Sequence, residues 1–216
     1  MFTLLLDLGR IDYQRAHSIM LELVGQRIED SITDLLLLAE HDHVITVGKR
    51  GSLENVLRSV VPIVRVERGG DVTYHGPGML MVYPIFKLDE KPYGITELVS
   101  KLEESVILSL HRLGINASRK AGYPGVWVKE KKVASIGLAL KEWVTYHGMS
   151  INVSPEMSYF YSIRPCGMPG SVMCSITELV NREISVDEFK AIYLEDFKKV
   201  FSTELVDLDL RSRLAL

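Results

Sequence analysis

Cysteine is scarce in this chain, and long apolar runs and an excess of positive charge are missing. Two cysteines in 216 residues cannot supply a disulfide framework, so reduced thiols are expected. The longest apolar runs, Leu35 to Ala39 and Gly78 to Phe86, fall far short of the roughly 20 residues that span a bilayer. The segment Met1-Phe2-Thr3-Leu4-Leu5-Leu6-Asp7 has no basic region ahead of its apolar residues. Neither a secretory signal nor an Arg-rich transit peptide is expected, and the setting is read as cytoplasmic. Lys and Arg number 25 against 28 Asp and Glu, a net charge of −3, which makes duplex DNA a poor default partner. Internal repeats, low-complexity tracts and Gly/Ser/Pro linkers are also lacking.

What is present describes a globular chain. The 47% apolar and 25% charged fractions exclude a disordered, collagenous or coiled-coil class. A chain this long buries roughly 70% of the surface its unfolded form exposes, enough for a core without metals or cross-links. Residues 1–216 are expected to form one domain, with a C-terminal subdomain after Pro169 as the alternative.

Residues 2–8 read as a buried strand. A helix follows from Asp12, whose side chain can cap it, with Tyr13, Ala16, Ile19, Met20, Leu23 and Ile28 at helical spacing. Strands are predicted over 33–40, 44–47, 62–68, 71–74 and 79–86, then over 126–129, 133–140 and 143–153. A helix from Thr96 carries Leu98, Leu102, Val106, Leu110 and Leu113 on one face and stops at Gly114. Ser185 and Glu188 read as a capping box for the last helix, with Ile184 and Phe189 as its hydrophobic staple. Strands dominate without βα alternation, which predicts an α+β fold with a mixed or antiparallel sheet.

Four glycines fall among the eleven residues of Arg68-Gly69-Gly70-Asp71-Val72-Thr73-Tyr74-His75-Gly76-Pro77-Gly78. No Gly-Lys-Ser/Thr follows, so this is no Walker loop; a strand rather than a helix follows, so it is no dinucleotide fingerprint. A hairpin with Pro77 and Gly78 at the centre of a type II turn is one reading. Arg68, Thr73, Tyr74 and His75 around that turn are more than a turn requires.

Lys132 would share a strand face with Ala134, Ile136 and Leu138. It is either a strand-end lysine reaching water or a partly buried ammonium that tunes a neighbour. Cys166 is bracketed as Arg164-Pro165-Cys166-Gly167, a context that presents the sulfur, although most free cysteines are inert packing groups. Cys174 lacks the bracket and reads as packing.

Taken together, Arg-Gly-Gly-x-x-Thr-Tyr-His-Gly-Pro-Gly at 68–78, Lys132-Val133-Ala134-Ser135-Ile136-Gly137 with His147-Gly148 and Asn152-Val153, and Pro165-Cys166-Gly167 resemble the lipoyl(octanoyl) transferases. Glu40-His41 and Thr46-x-Gly48 fit too, so the likeness covers nearly the whole chain. Two departures stand out: Met79 where the family commonly has Gln, and Asp42 where it has Pro. The resemblance implies one α+β domain with a large mixed β-sheet and a smaller sheet flanked by helices, as in biotin and lipoate ligases. It implies octanoyl or lipoyl transfer from acyl carrier protein to the lysine of lipoyl domains, in lipoate biosynthesis and protein lipoylation. Cys166 would be the acyl-thioester nucleophile and Lys132 its partner. The implied substrate-binding residues are Arg68, Gly69, Gly70, Asp71, Val72, Thr73, Tyr74, His75, Ser135, Ile136, Gly137, Gly148, Met149 and Ser150. The implied partners are octanoyl-acyl carrier protein, the lipoyl domains of 2-oxoacid dehydrogenase complexes and the glycine cleavage H protein. A monomer is expected, with no cofactor, metal, nucleic acid or membrane.

The chemistry closes on these residues. An ammonium about 4 Å from a sulfur, at an effective dielectric near 20, is worth at most about 4 kcal/mol toward the thiolate. Backbone N–H groups at Gly76 to Gly78 or at Cys166-Gly167 could hold the oxyanion. Burying about seven aliphatic carbons contributes on the order of 5 kcal/mol of substrate affinity. Three rivals stand beside this reading: an ATP-dependent lipoate or biotin ligase, a non-catalytic acyl- or carrier-binding relative, and a metal site from His41 and His43.

Overall fold

In the computed structural model, which describes residues 2–59 and 61–208, the chain runs β1 (Phe2–Ile11), α1 (Tyr13–Ile28), β2 (Leu35–His41), β3 (Val44–Val47), β4 (Ile63–Arg65), β5 (Val72–His75), β6 (Met79–Ile85), α2 (Ile95–Arg112), β7 (Gly125–Val128), β8 (Lys131–Lys141), β9 (Val144–Asn152), α3 (Ile176–Val180), α4 (Val186–Phe201) and β10 (Glu204–Asp207). Seven strands form one sheet in the order β10-β1-β2-β6-β9-β8-β7, and β4-β3-β5 form a second. β1 runs parallel to both β10 and β2, whereas β6, β9, β8 and β7 join by antiparallel ladders. The expected mixed large sheet and smaller sheet are both there. Among the described residues no helix is long and apolar enough to cross a membrane.

The leucine run explains the layering. Leu35 to Leu38 are all fully buried because β2 is covered on both faces. Leu35 and Leu37 pack with Ile19, Met20 and Leu23 of α1 and with Ile45 and Val72 of the small sheet. Leu36 and Leu38 pack with Leu98, Leu102 and Val106 of α2 and with Phe189, Tyr193 and Phe197 of α4. The carboxylate of Asp12 accepts a hydrogen bond from the Arg15 N–H at 3.0 Å, the cap expected for α1. Gly114 takes φ +77° at the end of α2, also as expected. After Pro169 the chain returns to the main body: α4 packs on α2, and β10 pairs with β1.

Four local expectations change. Residues 2–8 extend to Ile11 and are only partly buried, since β1 lies one strand from the sheet edge. The strand expected over 62–68 stops at Arg65, and Glu67 and Arg68 turn out of the ladder. At α4 the Ser185 Oγ accepts the Glu188 N–H at 3.1 Å, but the Glu188 carboxylate is drawn instead to Arg182, 2.8 Å away. The reciprocal box forms at Ser175 and Glu178, ahead of α3. Finally, the turn at Pro77-Gly78 forms, with Met79 N–H donating to Gly76 O at 3.2 Å and Gly78 at φ +86°. It does not close a hairpin. β5 pairs with β3 in the small sheet, and β6 lies between β2 and β9 in the large one. The turn is docked by Val153 and Ser154, whose N–H groups donate to Gly78 O at 3.1 and 2.9 Å, so the chain crosses from sheet to sheet there.

Leu36→Ala should destabilise the protein by about 2–5 kcal/mol, read as a lower urea midpoint, because the α2–α4 layer cannot collapse into the space. A loss below about 1 kcal/mol would contradict burial on both faces of β2.

Candidate active site

Both sheets contribute residues to one solvent-open cleft. The glycine-rich segment supplies Arg68, Gly70, Asp71, Val72, Thr73 and His75; β8 supplies Lys132, Ser135, Ile136 and Gly137; β9 supplies Gly148, Met149 and Ser150. Cys166 stands at the cleft between Pro165 and Met168. Tyr13, Met81, Tyr83 and His147 complete the wall, four residues that sequence reasoning did not select. His147 lies inside a quoted motif and could have been included; Tyr13, Met81 and Tyr83 show only the spacing of core residues.

Two expected residues lie off the cleft wall. Gly69 donates its N–H to Leu138 O at 2.8 Å, which pins the segment to β8. Tyr74 is fully buried, stacks on Tyr159 with centroids 5.0 Å apart, and bonds His43 Nδ1 at 2.8 Å. On β5, His75 lines the cleft, whereas the Tyr74 side chain is turned to Tyr159 and His43. The histidines weighed as metal ligands also separate. His43 goes to Tyr74, whereas His41 Nδ1 meets Ile11 O at 3.1 Å and its Nε2 meets Tyr83 Oη at 2.8 Å. Since a carbonyl only accepts, His41 donates through Nδ1 and the Tyr83 hydroxyl donates to Nε2.

Cys166 is exposed and sits in a single 3-10 turn, Pro165–Gly167, at φ +52° and ψ +36°. That left-handed conformation costs a non-glycine residue about 1–3 kcal/mol and needs support from its surroundings. Gly167 N–H donates to Arg164 O at 3.1 Å, and Met168 N–H donates to Pro165 O at 3.1 Å. Arg164 N–H in turn donates to Asn55 O at 2.7 Å, and Asn55 Nδ2 donates to Asp71 Oδ2 at 2.6 Å. The glycine-rich segment and the cysteine loop are thereby held in one frame. Among the suggested oxyanion donors, Gly76 to Gly78 lie off the cleft wall and Gly167 N–H is engaged, which leaves Cys166 N–H.

Lys132 is buried, not snorkelling, at 6% exposure. Its stem fits because position 125 is glycine: a Cβ there would stand 2.6 Å from Lys132 Cε and 2.2 Å from Ala134 O. Its ammonium lies 5.4 Å from the centre of the Trp127 ring. Burial pushes Lys132 below the ordinary lysine value of 10.5, while the Cys166 thiolate and the Glu103 carboxylate oppose that shift. Arg68 is a second buried cation. It donates from Nη2 to Thr46 O and Thr46 Oγ1, both at 2.8 Å, and from Nη1 to Gly69 O at 3.0 Å. Burial lowers it from its ordinary value, and the charges of Tyr13, Cys166, Tyr83 and Asp71 pull it back up.

The histidines and tyrosines of the wall are kept neutral. Burial holds His147 at about 4 and His75 well below 6.5, and it raises the phenols of Tyr13 and Tyr83. An anionic sulfur at Cys166 therefore faces two fixed cations and a neutral aromatic wall.

The family profile described as lipoyl protein ligase A/B catalytic domain matches residues 12–198. A relative in Pyrobaculum calidifontis named "Probable octanoyltransferase" is 45% identical over 94% of this chain and 87% of its own length. An octanoyltransferase of Maridesulfovibrio salexigens is 39% identical over 93% of this chain and 97% of its own. Among solved structures, a bipartite lipoate protein ligase from Thermoplasma acidophilum superposes with TM-score 0.70 at 16% identity, over 97% of this chain and 88% of that one. The biotin protein ligase of Aquifex aeolicus gives TM-score 0.52 at 17% identity, over 94% and 70%. At these identities the two structures show a shared fold.

Lys132→Met, which keeps the buried stem without the charge, should slow iodoacetamide alkylation of Cys166 about tenfold, through loss of an ammonium that attracts the attacking sulfur. Equal rates at every pH would remove the lysine from any role at the sulfur.

Proposed function

The chain belongs to the lipoyl protein ligase A/B catalytic-domain family, among its octanoyltransferases, and is an acyltransferase of protein lipoylation; from that premise we propose that it takes the octanoyl group from an acyl-carrier-protein thioester and passes it through Cys166 to a lipoyl-domain lysine. The observation that supports this reading is an exposed sulfur, held in a left-handed turn, in one cleft with a buried lysine and a buried arginine.

The Cys166 thiolate attacks the thioester carbonyl carbon, and Cys166 N–H is the donor we assign to the oxyanion. The carrier C–S bond breaks, the carrier sulfur takes a proton from the Lys132 ammonium, and the octanoyl group remains on Cys166. Lys132 is then neutral, a state that its burial favours. It removes one proton from the acceptor lysine ammonium, whose pKa of about 10.4 otherwise keeps it unreactive at neutral pH. The amine attacks the Cys166 thioester, the C–S bond breaks, and a second amine proton leaves to solvent as the amide forms. Cys166 returns as thiolate and Lys132 as ammonium. A thioester is exchanged for an amide, so no nucleotide is consumed.

Each wall has a part in this reading. Met81, Ile136 and Met149 offer apolar surface to the chain, and Arg68 with Lys132 balances the sulfur. The acceptors we infer are lipoyl domains of 2-oxoacid dehydrogenase complexes and the glycine cleavage H protein. The chain acts as one catalytic domain and a monomer, in a reducing cytoplasm that keeps Cys166 a thiol.

Incubation with octanoyl-carrier protein should give a hydroxylamine-labile octanoyl adduct on the intact protein, absent from Cys166→Ala. An undiminished adduct in that variant, or transfer that requires ATP, would overturn the scheme. Transfer from the isolated adduct to a lipoyl domain should rise with pH to an inflection below 10.5, because Lys132 loses its proton early. In Lys132→Met that inflection should vanish.

A further inference from the structure

At one side of the cleft three side chains from separate segments converge: His17 of α1, Glu67 immediately before Arg68, and His147 of β9, the last of which also lines the cleft. Among the described residues, their ligand atoms form a group within 4.8 Å of one another. His17 Nε2 lies 3.1 Å from Glu67 Oε2, and His147 Nε2 lies 3.4 Å from the same oxygen. Donors bound at about 2.0–2.2 Å to a tetrahedral ion stand about 3.3–3.5 Å apart. Two edges of the group already lie close to that length, and the third lies within 4.8 Å.

The group is built from both ends. His147 keeps φ +53° in the middle of β9, and its N–H donates to Met20 Sδ at 3.2 Å. Its side chain is 3% exposed, whereas His17 is 20% and Glu67 45% exposed, so an ion has a path in from solvent. The His17 ring is also braced, stacked on Tyr13 with planes 10° apart.

We propose that His17, Glu67 and His147 bind a divalent transition-metal ion, zinc being the best match, with the remaining position left to water. Two imidazoles and one carboxylate suit zinc and its neighbours, whereas magnesium and calcium require oxygen-rich shells. The ion takes no part in the transfer steps. It clips α1, the approach to Arg68 and β9 together, through His147 of the cleft wall itself and through His17, which stacks on Tyr13 of that wall. It therefore acts as a structural clasp on the acyl pocket.

The test uses the full-length Cys166→Ala protein, which removes the competing exposed thiol, stripped with chelator and titrated with zinc chloride or cobalt chloride alone. One equivalent of zinc should bind and raise the melting temperature with metal concentration. The cobalt form should show visible d–d bands without a thiolate charge-transfer band. His17→Ala and Glu67→Gln, each checked for native circular dichroism, should weaken zinc binding by at least about tenfold. Absence of stoichiometric binding, unchanged affinity in both variants, or a thiolate charge-transfer band would overturn the assignment.

Discussion

The architecture turns on one buried cation. Arg68 has no carboxylate partner among the described residues, so its charge is met by the Thr46 carbonyl and hydroxyl and by the Gly69 carbonyl. An unpaired buried charge is tolerated only with such a shell. The shell requires the small sheet, which carries Thr46, to lie against the glycine-rich segment. It also requires glycine at 137 on β8, since a Cβ there would approach Gly69 O to 2.8 Å and Arg68 Cδ to 3.2 Å. The cleft is the space left when the two sheets meet around this guanidinium.

Charge distribution then decides what the cleft can do. The apolar layers on both faces of the large sheet exclude water, and that exclusion keeps the histidines and tyrosines of the wall neutral. Lys132 and Arg68 remain as the charged counterparts of the sulfur. Burial of Lys132 has two consequences at once. It strengthens the attraction to a thiolate, because the local dielectric is low. It also eases loss of the lysine proton, which a base for an incoming amine requires. One lysine can therefore serve both halves of a transfer reaction.

Much of this was legible along the chain. The strand and helix periods located most elements, because burial on one or two faces leaves a direct trace in residue spacing. Arg68 to His75, Lys132 and the Pro165-Cys166-Gly167 bracket drew attention because a turn, a strand end and a loop do not need those side chains. Gly69 and Tyr74 lie within a motif that otherwise lines the cleft, and only a hydrogen bond to Leu138 and contacts with Tyr159 and His43 turn them away. Tyr13, Met81 and Tyr83 looked like core, since a cleft wall and a core face have the same spacing. The Pro77-Gly78 turn was correctly placed, yet its flanking strands belong to different sheets, a matter settled by docking against Val153 and Ser154.

By itself, the order of residues determined the α+β class, the capped helices, and the residue types available for thiol chemistry. These depend on interactions within a few residues or on periodicity. Tertiary structure alone decided that Lys132 is buried beneath a sulfur 34 positions further on. It likewise decided that Arg68 shares that sulfur, and that His17, Glu67 and His147 meet. Those relations join atoms distant in the chain, and the closing of the two sheets around Arg68 brings them within reach.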